Sequence, residues 1–167
     1  MRFFYSLLCS IFFISIQAQT TNENLNSQLN EMKTSFLSGE YSGIVKYTFP
    51  KVVEMMGGNE AMLSTTQATM DKMKAAGYTF EDISFTSPSE FVEQNGFSQC
   101  TLNQVLIMTT PDGKIESTTT MLAVSGDKGK NWTFLDASGV PSDLIPTIFP
   151  DLHPDLIISP AERKNID

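Results

Sequence analysis

The chain carries a single histidine, His153, within the run Asp151-Leu152-His153-Pro154-Asp155. Alternating Asp, His and Asp could offer three ligands to a metal ion. Pro150 and Pro154 interrupt regular structure around them, so the same residues read as an exposed turn, and no metal or other cofactor is expected. A lone histidine in a proline-rich stretch also leaves no credible Ser–His–Asp or Cys–His set. Cys100 has no neighbouring His or basic cluster to lower its pKa and reads as a small buried hydrophobe. Acid–base chemistry would then fall to Tyr41 or Tyr47 as hydrogen-bond donor and Asp136 as base, within reach of a common point. Glu54 and Glu60, beside the Gly57-Gly58 pair, read as solvated helix charges.

A binding role has a sharper candidate. Between Phe97 and Thr109 the period is two, which puts Cys100, Leu102, Gln104, Leu106 and Met108 on one face of a strand. If that face turns inward, Gln104 is an amide among apolar neighbours and needs a partner. The partner could be a ligand or Tyr47; the alternatives are a solvent-facing glutamine or an internal pair. Tyr47, Gln104, Met108 and Trp132 form the candidate ligand-binding set. Trp132 would line the mouth of the pocket, or else pack over its own hairpin.

Ser125 to Trp132 fits S-x-D-x-G-x-x-W. Ser125 and Asp127 can hydrogen-bond nearby backbone N–H groups, Gly129 can take positive φ, and Trp132 can fold its ring over the returning strand. The pattern resembles the Asp-box hairpin, known from sialidase-type propellers and found singly in other folds. A propeller repeats its blade every ~40–50 residues over a far longer chain, and this chain has one copy. A structural turn is expected rather than a sugar- or calcium-linked site.

The elements that would position these residues fall into two halves. Arg2 followed by the apolar run Phe3–Ile16 and the small Ala18 reads as a secretory signal peptide, residues 1–19, cleaved near Ala18 or Gln19. Cys9 as a lipid-modified cysteine is the alternative, disfavoured by Leu8 before it. The run is short for a membrane span, and no stable insertion is expected. Cleavage takes the formal charge from −8 to −9, because Arg2 is the only charge removed. That acidity argues against nucleic acid or an anionic membrane as partner. One cysteine then remains, so no intrachain disulfide forms, and about 149 residues suffice for a core without one.

Leu25, Leu29, Met32, Phe36 and Leu37 recur at helical spacing over 22–37, with Asn22 as cap and Gly39 as stop. Shorter helices follow over Tyr41–Tyr47 and Val52–Met56, the second opened by Pro50. Asn59 caps a longer one bearing Met62, Thr66, Met70 and Met73, which ends at Gly77. Strands are then expected over Phe80–Phe85, Glu90–Val92, Phe97–Thr109, Ile115–Val124 and Asn131–Asp136, with a tight turn at Pro111-Asp112-Gly113. Helices first and an antiparallel meander afterwards mean an α+β domain over 20–140, with N-terminal helices packed on a curved, cone-like sheet. Residues 141–167 read as a proline-rich extension: Ser142 caps a short helix, Leu156-Ile157-Ile158 can dock on the domain or a partner, and Ala161–Asp167 is loose.

This order resembles the nuclear-transport-factor-2-like fold, which also includes SnoaL-like cyclases and ketosteroid isomerase. The resemblance covers Asn22 to Ser138. Tyr47-Thr48-Phe49-Pro50, Met56-Gly57-Gly58, the long helix and the closing Trp132–Asp136 look most like secreted members. It implies a concave sheet closed by helices around a small ligand, and fold alone does not fix function. The reading is a secreted or periplasmic non-catalytic domain binding a small apolar ligand, or pairing as a homodimer through the sheet. The alternative is an isomerase- or cyclase-like enzyme using the tyrosines and Asp136.

Overall fold

A computed structural model describes the backbone of residues 4–166 and the side chains of residues 21–166. The signal segment, its cleavage point and Cys9 lie outside the residues whose side chains are described. Helix α1 runs Phe4–Ser38, followed by α2 (Ser42–Tyr47), α3 (Pro50–Met55) and α4 (Asn59–Ala75). Strands β1 (Thr79–Phe85), β2 (Val92–Gln94), β3 (Phe97–Thr110), β4 (Gly113–Ser125) and β5 (Thr133–Asp136) come next, then α5 (Ile145–Ile148) and β6 (Glu162–Asn165). The molecule is an α+β fold, with helices packed on a six-stranded antiparallel sheet. No described helix is long and apolar enough to cross a membrane.

Two long strands form the spine. β3 and β4 pair from Ser98↔Ser125 to Thr110↔Gly113. β1 and β2 share the outer edge of β3, and β5 and β6 share the outer edge of β4. The gaps between these short strands are closed as well. Thr86 and Ser89 donate their N–H groups to Asn103 O and Thr101 O at 3.0 and 2.8 Å. Ala137 N–H donates to Thr120 O at 2.9 Å, and Thr120 N–H donates to Ser138 Oγ at 2.6 Å.

Side-chain alternation gives the sheet two faces. On the concave face, Cys100, Leu102, Met121, Ala123 and Phe134 pack against Leu25, Leu29 and Met32 of α1 and the ring of Tyr47. Fully burying each leucine stabilises this layer by ~1.5–3 kcal/mol. On the other face, Leu122, Val124 and Leu135 lie beneath Ile148, Phe149, Leu152, Leu156 and Ile158. The proline-rich stretch is thus a second cover for the sheet. Leu156 and Ile158 dock on their own domain, and Ile157 between them faces water.

Several boundaries differ from expectation. Residues 162–165 are not loose: they form β6 against Ile115–Thr118, and Lys164 pairs with Glu116 at 2.7 Å. Backbone pairing and that one ion pair place them, since all four side chains are exposed. The strand expected at Glu90–Val92 is Val92–Gln94. Asn95 and Gly96, at φ 51° and 85°, form the two-residue turn that fixes it. Gly58 and Leu144, rather than Asn59 and Ser142, stand at the N-caps of α4 and α5.

Candidate functional site

A cavity of about 540 Å³ lies between the concave face and the helices. Phe36 of α1, Met62 and Met70 of α4, Phe85 of β1, Leu106 of β3 and Met121 of β4 make much of its apolar wall. Helix α4 forms the roof, and Met62 is its one buried residue among those described. The helix spans the space rather than sinking into the sheet.

Polar groups around this wall are few. Lys33 binds Asp82 at 2.7 Å, and that ion pair holds the Asp82 carboxyl below its usual range. Thr48 Oγ1 donates to Ile44 O at 2.7 Å. Asp136, at the exposed rim, accepts the N–H of Gly139 at 3.2 Å. Gln104 is half-buried in the wall, and its amide makes no hydrogen bond among the described residues. Directly opposite it on β4 stands Thr119, whose Oγ1 is buried and likewise has no partner. Cross-strand partners share a face, with Cβ atoms ~4.5–5.5 Å apart. An unpartnered amide and an unpartnered hydroxyl therefore sit side by side in an apolar layer.

The other sequence-predicted ligand residues lie off this wall. Tyr47 contributes its ring to the core, while its hydroxyl donates to Glu31 and accepts from Lys46 at 2.8 Å. Burial and then Glu31 push the Tyr47 pKa up, and the Tyr47 hydrogen bond followed by Lys46 pulls Glu31 down. The cluster ties α2 to α1 on the outside of the helical layer. Met108 is buried two residues beyond Leu106, paired with Phe80 and Ile115. Trp132 is 1% exposed and packs against Phe91, at the opposite end of the concave face. Tyr41 stacks edge-on against Phe36 outside the cavity, so it and Asp136 do not converge there. Thr119 pairs with Gln104 in the register that the Pro111–Gly113 turn sets, but it is not among the cavity-lining residues.

The Ser125–Trp132 hairpin is closed on itself. Ser125 Oγ donates to Asp127 Oδ1 at 2.8 Å and accepts Gly129 N–H at 2.9 Å. Asp127 Oδ1 also accepts the N–H groups of Lys130 and Asn131, at 3.2 and 2.8 Å. Burial alone would raise the Asp127 pKa; the hydrogen bonds from Asn131, Ser125 and Lys130 outweigh it and hold the carboxyl low. Gly129 has φ 77°, and a Cβ there would meet Thr21 at 2.5 Å. Asn24 and Gln28 of α1 donate to the carbonyls of Gly129 and Lys130 at 3.0 and 2.8 Å. The Asp127 oxygens are thereby spent on clasping the hairpin, which in turn clasps α1.

His153 accepts Asp155 N–H at Nδ1, at 3.2 Å, and Asp151 accepts Asn95 Nδ2 at 2.7 Å. The described residues contain no group of three or more metal-ligating side chains. Burial pushes the Cys100 thiol up to about 12. No family model matches the chain, and neither a curated protein nor a solved structure does.

Proposed function

We propose that the protein is a non-catalytic binding domain, exported from the cytoplasm, that holds one small apolar or amphipathic molecule beneath α4. The observation that carries this reading is the cavity itself. Its volume of about 540 Å³ falls within the ~300–1,000 Å³ of small-molecule sites, and its wall is apolar with a few placed polar groups. The nuclear-transport-factor-2-like resemblance supports the same arrangement, a ligand held between helices and a concave sheet. The Arg2–Ala18 pattern supports export.

The enzymatic alternative rests on Asp136, the one carboxylate among the cavity-lining residues. The hydroxyl of Tyr47 is engaged by Glu31 and Lys46, which leaves that carboxylate without its proposed donor. Binding is the better-supported reading.

Titration with the fluorescent hydrocarbon diphenylhexatriene tests it. Emission should rise and saturate near one equivalent, and Leu106→Trp, which narrows the cavity, should weaken the rise while the protein stays folded. Absence of any rise with folded wild-type protein, or an undiminished rise in the narrowed variant, would refute this reading.

A further inference from the structure

Resting on the binding reading above, we propose that the cavity's ligand is an uncharged amphiphile with a hydroxyl or carbonyl head, held by Gln104. The charges around the wall exclude an ionised head. Lys33 is the one cation among the lining residues and is already neutralised by Asp82 at 2.7 Å. Asp136 is the one lining anion and stands at the exposed rim, where it repels carboxylates and phosphates. A charged group carried inside would lose its hydration without gaining a free counter-ion, a cost far above that of a neutral head.

The uncharged groups fit the opposite demand. Gln104, on the cavity wall, offers two N–H donors and a carbonyl, while the hydroxyl of Thr119 is buried and does not reach the cavity. Both lack protein partners, and they face one another across the β3–β4 ladder. On the other sheet face the fully buried Gln99 donates to Asp151 O at 2.7 Å and accepts His153 N–H at 3.0 Å. A hydroxyl or carbonyl head pairs with the Gln104 amide while its hydrocarbon body meets Phe36, Met70, Leu106 and Met121.

The test uses the whole chain with diphenylhexatriene bound, displaced in turn by dodecanol, dodecanoate and dodecylammonium at about pH 8, where the acid and the amine are both ionised. Dodecanol should displace the probe at a concentration at least about tenfold lower than either ion. Gln104→Leu should weaken dodecanol by about threefold to tenfold, the loss of one neutral hydrogen bond, without weakening the hydrocarbon probe. Either ion competing as well as dodecanol, or Gln104→Leu keeping wild-type affinity for dodecanol, would overturn the assignment while the probe still binds. Failure of wild-type protein to take up the probe or dodecanol would instead remove the binding reading, and this one with it.

Discussion

The two faces of the sheet carry the same kinds of residue and use them differently. On the face beneath the proline-rich segment, Gln99 is fully buried with both amide atoms bonded, and Thr120 Oγ1 accepts Ser159 N–H at 3.2 Å. On the cavity face, Gln104 and Thr119 are the matching pair, and neither is bonded. A buried polar group with its partners in place is part of the scaffold. One without them either weakens the fold or awaits a molecule from outside.

Substitutions on the two sides should separate accordingly. Phe149 is 2% exposed and packs edge-on against Phe49 and Phe97 at 5.2 and 5.6 Å. Phe149→Ala should cost about 3–5 kcal/mol, and at about 2–4 °C per kcal/mol calorimetry would register it at once. Met70→Ala, on the roof of the cavity, should cost under about 1 kcal/mol, because little closes around that side chain. Equal losses would erase the distinction between a filled face and a hollow one. Gln99→Leu comes next: it strands the Asp151 carbonyl and the His153 N–H, and urea titration should show a loss of about 2–4 kcal/mol. Gln104→Leu strands nothing, and the same titration should find it within about 0.5 kcal/mol of wild type or slightly stabilised.

The smallest effect is one of pH. A depressed carboxyl pKa contributes stability that is fully present above its unfolded value of about 4 and is lost as pH falls through the lower folded value. Asp127 is such a group, so the hairpin clasp should loosen from about pH 4 downward. Glu31, Glu81 and Asp82 are lowered too and share the acid slope. Asp127→Asn should therefore flatten the loss of urea stability across that window without removing it. An unchanged slope would mean the clasp contributes nothing through its charge.

Local signals carried much of the architecture. The period changes from helical to alternating after Gly77, and α4, β3, β4 and the 22–37 part of α1 follow from it; α1 itself begins at Phe4, so Asn22 lies within the helix rather than capping it. The hairpin from Ser125 to Trp132 was readable because its bonds are nearly all within a few residues. What stayed hidden depends on distant partners. β6 is a run of Glu, Arg, Lys and Asn whose conformation is set by the backbone of β4, and nothing in its own composition says so. Gln104 was found by strand parity, yet parity places a residue on a face without saying which stretch of that face is hollow. Met108 shares that parity and lies outside the cavity wall, and Tyr47 depends on how α2 is rotated, which a six-residue helix leaves open.

Filling the gaps between the short outer strands has a further effect. The two longest strands present no run of free N–H and C=O groups that a second chain could read as a template. Strand-by-strand growth into fibrils, or capture of an extended peptide, is confined to the brief outermost segments.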